Sequence, residues 1–374
     1  MPERIYLDHA ATTPILPAAR AAVAEAMARW ANPSSAHAEG RAAHAALEEA
    51  RARAKRALRW RGELIFTSGA SEALAIALGR SDRRVFASAV EHDAVFRAAP
   101  DALLLPIGAK AEVLREALDG ALRASPPALV AVQHVNSETG VKQPVDALAA
   151  QVRGHGGLLV SDCSQSAGKI PLPDADMIVV SAHKLGGPPG IGALLVRDLA
   201  MLRGVGGQEF GYRPGTQNLP GALGFAAALE QLRIGIFPGN PDALPMVEWL
   251  ADMGELLADL EHPVGEAGGV FQPAGEAGER AMFSAWIMAI AMPGVSAAAQ
   301  LIRFDGAGIA LSAGSACSSG SLKPSRALRA FGVPEQEAAC TIRVSFGWST
   351  TADEIRRFLD TWLAIAADAR TRAA

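Results

Sequence analysis

Apolar and alanine positions recur at helical spacing through residues 41–58, RAAHAALEEARARAKRAL, with charges between them, which predicts an amphipathic helix. A short apolar strand, ELIFT at 63–67, comes next and runs into SGASEALAIAL. A strand that passes through small residues into a helix is an anion-binding arrangement, because the first turn of the helix presents backbone N–H groups with no partner of their own. Four further apolar runs follow: VFASAV (85–90), ALVAVQHV (128–135), GLLVSD (157–162) and MIVVSA (177–182). Each ends in polar residues, at Glu91-His92, Asn136, Asp162 and His183-Lys184. Strands alternating with helices predict an α/β sheet, and in a parallel sheet the functional groups gather at the carboxyl ends of the strands.

After GIGALLV (190–196) the chain enters RGVGGQEFGYRPGTQNLPG, whose glycines and polar residues predict a loop or strand pair over a site. PDALPMVEWLADMGELLADLEH (241–262) reads as a long amphipathic helix that connects two domains. The remainder alternates strand (FSAWIMAIAM), helix (AAAQLIRFD), strand (GIALSA), loop (GSACSSGSLKPS), helix, strand (CTIRVSFG) and helix, which fits a second, smaller domain.

Composition narrows the class. The chain has 374 residues, half of them apolar, enough for a large core and for one to three domains. With 20% charged residues and a net charge of −4 there is no basic excess of the kind that tracks nucleic acid. No stretch reads as a membrane span, and MPERIYLDHA lacks the apolar segment of a signal peptide. Three scattered cysteines, Cys163, Cys317 and Cys340, suit neither a disulfide framework nor a metal cluster. They predict a reducing cytoplasm and at most one reactive thiol.

The chemistry concentrates in SAHKLGGPPG (181–190). A lysine just past a strand, with glycines that let the backbone close around a flat ring, suits an amine that forms a Schiff base. Asp162 ends the preceding apolar run, where a carboxylate would meet a pyridine nitrogen; pyridoxal phosphate needs that charge to act as an electron sink. Gln165 is placed to hydrogen-bond the ring hydroxyl, and His92 to stack on the ring and handle protons near neutral pH. Ser71, Ser181 and His183, with the backbone of Gly69 and Ala70, would hold the phosphate.

Ten motifs then stand in one order: YLDHAATTP (6–14), NPSSAH (32–37), FTSGASEA (66–73), EHDAV (91–95), HVNSETG (134–140), SDCSQSAGK (161–169), SAHKLGGPPG (181–190), RPGTQN (213–218), GSACSSG (314–320) and IRVSFG (342–347). In these the chain resembles the cysteine desulfurase family of fold-type I pyridoxal-phosphate enzymes, aminotransferase class V. The resemblance implies a large domain over 15–240 with a mostly parallel central sheet flanked by helices, and a smaller α+β domain from 1–14 and 241–374. It implies pyridoxal 5′-phosphate on Lys184, Asp162 at the pyridine nitrogen, His92 on the ring, and Gln165 and Asn136 near the ring oxygen and substrate. Ser71, Ser181 and His183 would bind phosphate together with Thr216 from a partner subunit, and Arg343 the substrate carboxylate through its bidentate fork. Cys317 would accept sulfur from L-cysteine as a persulfide, leaving L-alanine. No metal is implied.

Thiolate chemistry needs an accessible thiol, and GSACSSGS surrounds Cys317 with small, polar residues. The implied partners are a second copy of the chain and a sulfur acceptor such as an iron–sulfur scaffold, without nucleic acid or membrane. Phe210 follows Glu209 where the family commonly has arginine, and Gln217 replaces a usual glutamate. Two other readings stay open: an enzyme for selenocysteine or a transaminase of the same class, and a catalytically weak scaffold subunit. Cys317 separates the first, since a transaminase has no need of a thiol there. Intact Lys184, Asp162, His92, Cys317 and Arg343 stand against the second.

Overall fold

The computed structural model describes residues 4–29, 31–232, 246–274, 283–313 and 325–373. A seven-stranded sheet forms its centre: β2 (Glu63–Thr67), β3 (Arg84–Ser88), β4 (Leu103–Leu105), β5 (Ala128–Ala131), β6 (Leu158–Asp162), β7 (Met177–Ser181) and β8 (Gly192–Val196). The order across the sheet is β2-β8-β7-β6-β5-β3-β4. Pairing is parallel from β7 through β6, β5 and β3 to β4, whereas β8 runs antiparallel to both β7 and β2. The mostly parallel sheet is therefore as expected, with one reversed strand. Apart from Ser181 at the end of β7, the buried residues of β5, β7 and β8 are apolar on both faces, as a sheet covered on both sides requires.

One face is covered by α1 (Pro17–Ala28), α2 (Ala38–Ala57) and the helix Leu219–Gln231, whose alanines allow close approach. The other face carries α3 (Ala70–Gly79) and α4 (Asp93–Ala98). The predicted helix 41–58 is α2, which begins at Ala38 because the His37 ring accepts the Gly40 N–H as its cap. The apolar run 128–135 is a strand only to Ala131, since the Gln133 N–H turns to the Glu91 carboxyl at 2.8 Å. The helix read over 241–262 runs Met246–Asp259, with a separate turn of helix at Glu261–Glu266; residues 241–245 lie outside the described residues.

A second core surrounds a three-stranded antiparallel sheet of β9 (Val270–Gln272), β10 (Ile287–Ala291) and β12 (Thr341–Ser345), packed by Phe304, Phe358 and Trp362. β1 (Ile5–Tyr6) pairs in parallel with β11 (Ile309–Ala310). The chain then crosses to the large sheet, where Thr13 N–H reaches the His183 carbonyl at 2.8 Å and Leu16 N–H that of Gly186 at 2.8 Å. Residues 8–13 are thereby drawn across the ends of β6 and β7.

The glycine-rich loop is pinned from beneath. Glu209 is fully buried and receives both Arg51 nitrogens, at 2.7 and 3.1 Å, and the Phe66 N–H at 2.8 Å. The Arg51 guanidinium lies between the rings of Phe66 and Phe210, 4.9 and 4.8 Å from their centroids, so Phe210 covers this ion pair. Glu209 and Phe210 both take left-handed φ, 49° and 59°, a strain held by those bonds. Glu209→Ala removes the buried carboxylate of Arg51, leaving it the more exposed Glu48, and is expected to cost up to about 3–5 kcal/mol. Urea unfolding measures this, and a loss below about 1 kcal/mol would show a pair no stronger than a surface one.

Candidate active site

A cavity of about 330 Å³ opens at the carboxyl ends of β2, β3, β5, β6 and β7, and Gly69, Ser71, His92, Asp162, Gln165 and Lys184 are on its wall. This is where an open α/β sheet places a ligand. Lys184 closes the 3-10 turn Ala182–Lys184 directly after β7, and its carbonyl is held by the Thr13 hydroxyl at 3.1 Å. Burial pushes its amine below the ordinary lysine range and the Arg343 charge adds to this, against Asp162 and Asp8, which pull it up. Asp162 ends β6, the neighbour of β7, and its Oδ1 accepts the Ser164 N–H at 2.9 Å.

The far end of the cavity is the N-terminus of α3, with Gly69, Ala70 and Ser71 on the wall and Ser181 and His183 opposite. Gly69 adopts φ 150° with open space where a side chain would stand. Gly192 lies against it, and a Cβ there would come within 2.8 Å of the Gly69 Cα. Both positions therefore require glycine to bare backbone N–H groups to the cavity. Burial, with the Lys184 charge, lowers the His183 pKa to about 4, so its ring is neutral at pH 7.

His92 is the N-cap of α4: its Nδ1 accepts the Ala94 N–H at 3.1 Å, which leaves the proton of the neutral ring on Nε2. Burial and Lys184 lower its pKa too. Gln165 donates from Nε2 to the Ala10 carbonyl at 2.9 Å, and its buried Oε1 has no partner among the described residues. An orphaned acceptor on the wall of a cavity is a place for a ligand donor.

Nine of the expected residues thus line one cavity: Gly69, Ala70, Ser71, His92, Asp162, Gln165, Ser181, His183 and Lys184. Asn136 stands behind the wall. Its Oδ1 takes Glu138 N–H, Thr139 N–H and the Thr139 hydroxyl, and its Nδ2 donates to the Val90 carbonyl. Arg343 is buried on β12, with Nη2 on Asp8 at 2.7 Å and Nη1 on the carbonyl of Ser137, a wall residue, at 3.0 Å. Thr216 is exposed on the glycine-rich loop and does not line the cavity. Cys317 lies outside the described residues. Cys163 is fully buried, and burial pushes its thiol up to about 12, which keeps it protonated and inert.

Sequence reasoning missed Glu91 and Asp8. Glu91 is buried with Oε2 unpartnered, and burial, with the nearby Asp162 charge, raises its carboxyl well above the usual range. Its signal was an acid closing an apolar run. Asp8 stands in YLDHAATTP without any local hint that Arg343 meets it.

The aminotransferase class-V family model matches residues 5–238. A cysteine desulfurase of Cereibacter sphaeroides is 34% identical, over 96% of this chain and 94% of its own length. One of Gluconacetobacter diazotrophicus is 36% identical, over 98% and 94%. Among solved structures, a NifS-like protein from Rickettsia africae superposes with a TM-score of 0.81 at 27% identity, covering 97% of this chain and 99% of that one. DndA from Streptomyces lividans does so with a TM-score of 0.68 at 32% identity, covering 91% and 99%.

Proposed function

We propose, since the chain belongs to the aminotransferase class V family and within it to the cysteine desulfurases, that the Lys184 cavity holds pyridoxal 5′-phosphate and takes sulfur from L-cysteine. The observation that carries this is the meeting of Lys184, Asp162 and the bare N-terminus of α3 in one cavity. Amine, carboxylate and anion site together match the aldehyde, pyridine nitrogen and phosphate of that cofactor, and the orphaned Gln165 Oε1 offers an acceptor to a ring hydroxyl. When bound, the cofactor supplies an electron sink for the substrate carbon.

The residues divide the work. The Lys184 amine, shifted toward its neutral form, is the nucleophile that holds the cofactor covalently. Asp162 would hold a proton on the pyridine nitrogen of a bound cofactor. His92, with its proton on Nε2, would pack against the cofactor and supply a proton. Gly69, Ala70, Ser71, Ser181 and His183 hold the phosphate, with Thr216 of a second copy completing it. Arg343 receives the substrate carboxylate by exchanging its Asp8 or Ser137 partner, and Asn136 keeps the turn that carries Ser137 in place. The thiolate of Cys317 then attacks the substrate sulfur. A sulfur–sulfur bond forms, the carbon–sulfur bond breaks, and a proton replaces sulfur on the carbon, so that cysteine and a thiol become alanine and a persulfide.

The same reading takes 15–240 as the cofactor domain and 1–14 with 241–374 as the domain of Cys317, supported by the two separate cores. It makes the enzyme a homodimer that passes sulfur to an acceptor protein, such as an iron–sulfur scaffold. The few, scattered cysteines support a reducing cytoplasm. No described helix is long and apolar enough to cross a membrane.

Asp162→Asn is the test of the site's electrostatics. The variant is expected to retain pyridoxal phosphate, measured after dialysis, but to form alanine slower by orders of magnitude, because a neutral amide does not hold the ring proton. Wild-type turnover with bound cofactor would remove Asp162 from the mechanism.

A further inference from the structure

His92 sits on a short helix at the rim of the cavity, packed through Ala94 and Val95 into the core beside α3. Polar contacts to it also come from a helix far along the chain. Arg326, in the helix Arg326–Ala330, reaches across 235 residues of sequence to donate from Nη2 to the Glu91 carbonyl at 2.5 Å. The same nitrogen lies 3.1 Å from the Asp93 carboxylate. The guanidinium also lies over Phe96, its carbon 3.7 Å from the ring centroid. Glu91 and Asp93 are the two neighbours of His92, and Phe96 stands one helical turn on. One planar cation therefore touches the backbone before the imidazole, the side chain after it and the ring below it.

Exposure of 41% and 65% makes the Asp93 ion pair weak by itself. The charge-assisted bond to a carbonyl and the cation over the aromatic ring are the stronger part, and the spread of the arginine fork lets one side chain make both. The platform that carries Arg326 is itself fastened to the large sheet. Ser325 Oγ donates to Glu138 at 2.6 Å and accepts the Leu328 N–H at 2.9 Å, and Glu138 belongs to the turn closed by Asn136.

We propose that Arg326 is a positioning residue for His92: it clasps both flanks of the imidazole and holds its ring at the cavity while the Ala94 N–H sets the tautomer. The proposal rests on the reading of His92 given above, and its test keeps the two apart.

Two measurements decide it. In cofactor-free protein, Arg326→Gln is expected to speed hydrogen exchange in the peptide containing 91–98 and to leave the Lys184 peptide unchanged. In the loaded enzyme, single-turnover alanine formation is expected to slow about tenfold with little change in KM, and Arg326→Lys to fall between. In a His92→Ala background the Arg326→Gln loss is expected to vanish, because the residue acts through the imidazole. An unchanged exchange rate at 91–98, or the same fold loss with and without His92, overturns the proposal; the second result would mean that Arg326 acts by a route that does not include the imidazole. A His92→Ala enzyme with wild-type turnover overturns the role of His92 itself, and that of Arg326 with it. It is told apart from failure of Arg326 alone, in which His92→Ala is slow.

Discussion

Lys184→Ala protein is expected to lose the visible absorption that depends on a covalent bond between this amine and pyridoxal phosphate. It should still bind the cofactor weakly through the α3 N-terminus, Asp162 and Gln165, since none of these contacts is touched. Alanine formation should fall by orders of magnitude, because the nucleophile that holds the cofactor in place is gone. The direction follows from burial. An amine whose pKa burial lowers reaches its neutral, nucleophilic form at a lower pH than a solvated surface lysine does. Absorption spectra of purified wild type and variant, with and without added cofactor, check this. A variant that keeps the wild-type band would move the attachment point elsewhere, and Lys169 would be examined next. It is buried without a hydrogen-bond partner among the described residues, and burial lowers its pKa to about 7.

Much of the site was legible because of where polar residues interrupt apolar runs. Asp162, Ser181, His183 and Lys184 follow β-branched and leucine-rich segments that can only be buried strands, and a residue at the end of such a strand faces the rim. The reversal of β8 was not legible: GALLV is apolar in either direction, and pairing direction leaves no mark on a strand buried on both faces. β4 is three leucines at a sheet edge, two of them exposed, and is too short for any period to show. The side chain of Asn136 was legible as polar, but its capture by its own turn depends on the backbone path through Thr139. Least legible were contacts between residues far apart in sequence. Arg343 and Asp8 are 335 positions apart, and Arg326 and Glu91 are 235 apart. Such pairs answer to tertiary geometry, which no local pattern records.

Cys317→Ser is expected to separate the two halves of the reaction. No described wall residue of the cavity is changed, so pyridoxal phosphate is expected to bind as in wild type, and added cysteine should still perturb its spectrum. Alanine should not be released at a comparable rate, because a serine hydroxyl stays protonated and is a far poorer nucleophile toward sulfur than a thiolate. Cys163 cannot substitute. Its thiol is fully buried and held near pKa 12, where the thiolate is negligible at neutral pH.

The central claim is that sulfur leaves substrate cysteine and arrives on Cys317. Its most direct measurement is peptide mass analysis of wild-type enzyme after brief exposure to cysteine, with alkylation to trap thiols and a reduced control. The expected result is one extra sulfur on the peptide containing Cys317, lost on reduction, with alanine formed in equal amount. A peptide of unchanged mass while alanine accumulates, or extra sulfur confined to Cys163 or Cys340, would contradict the account.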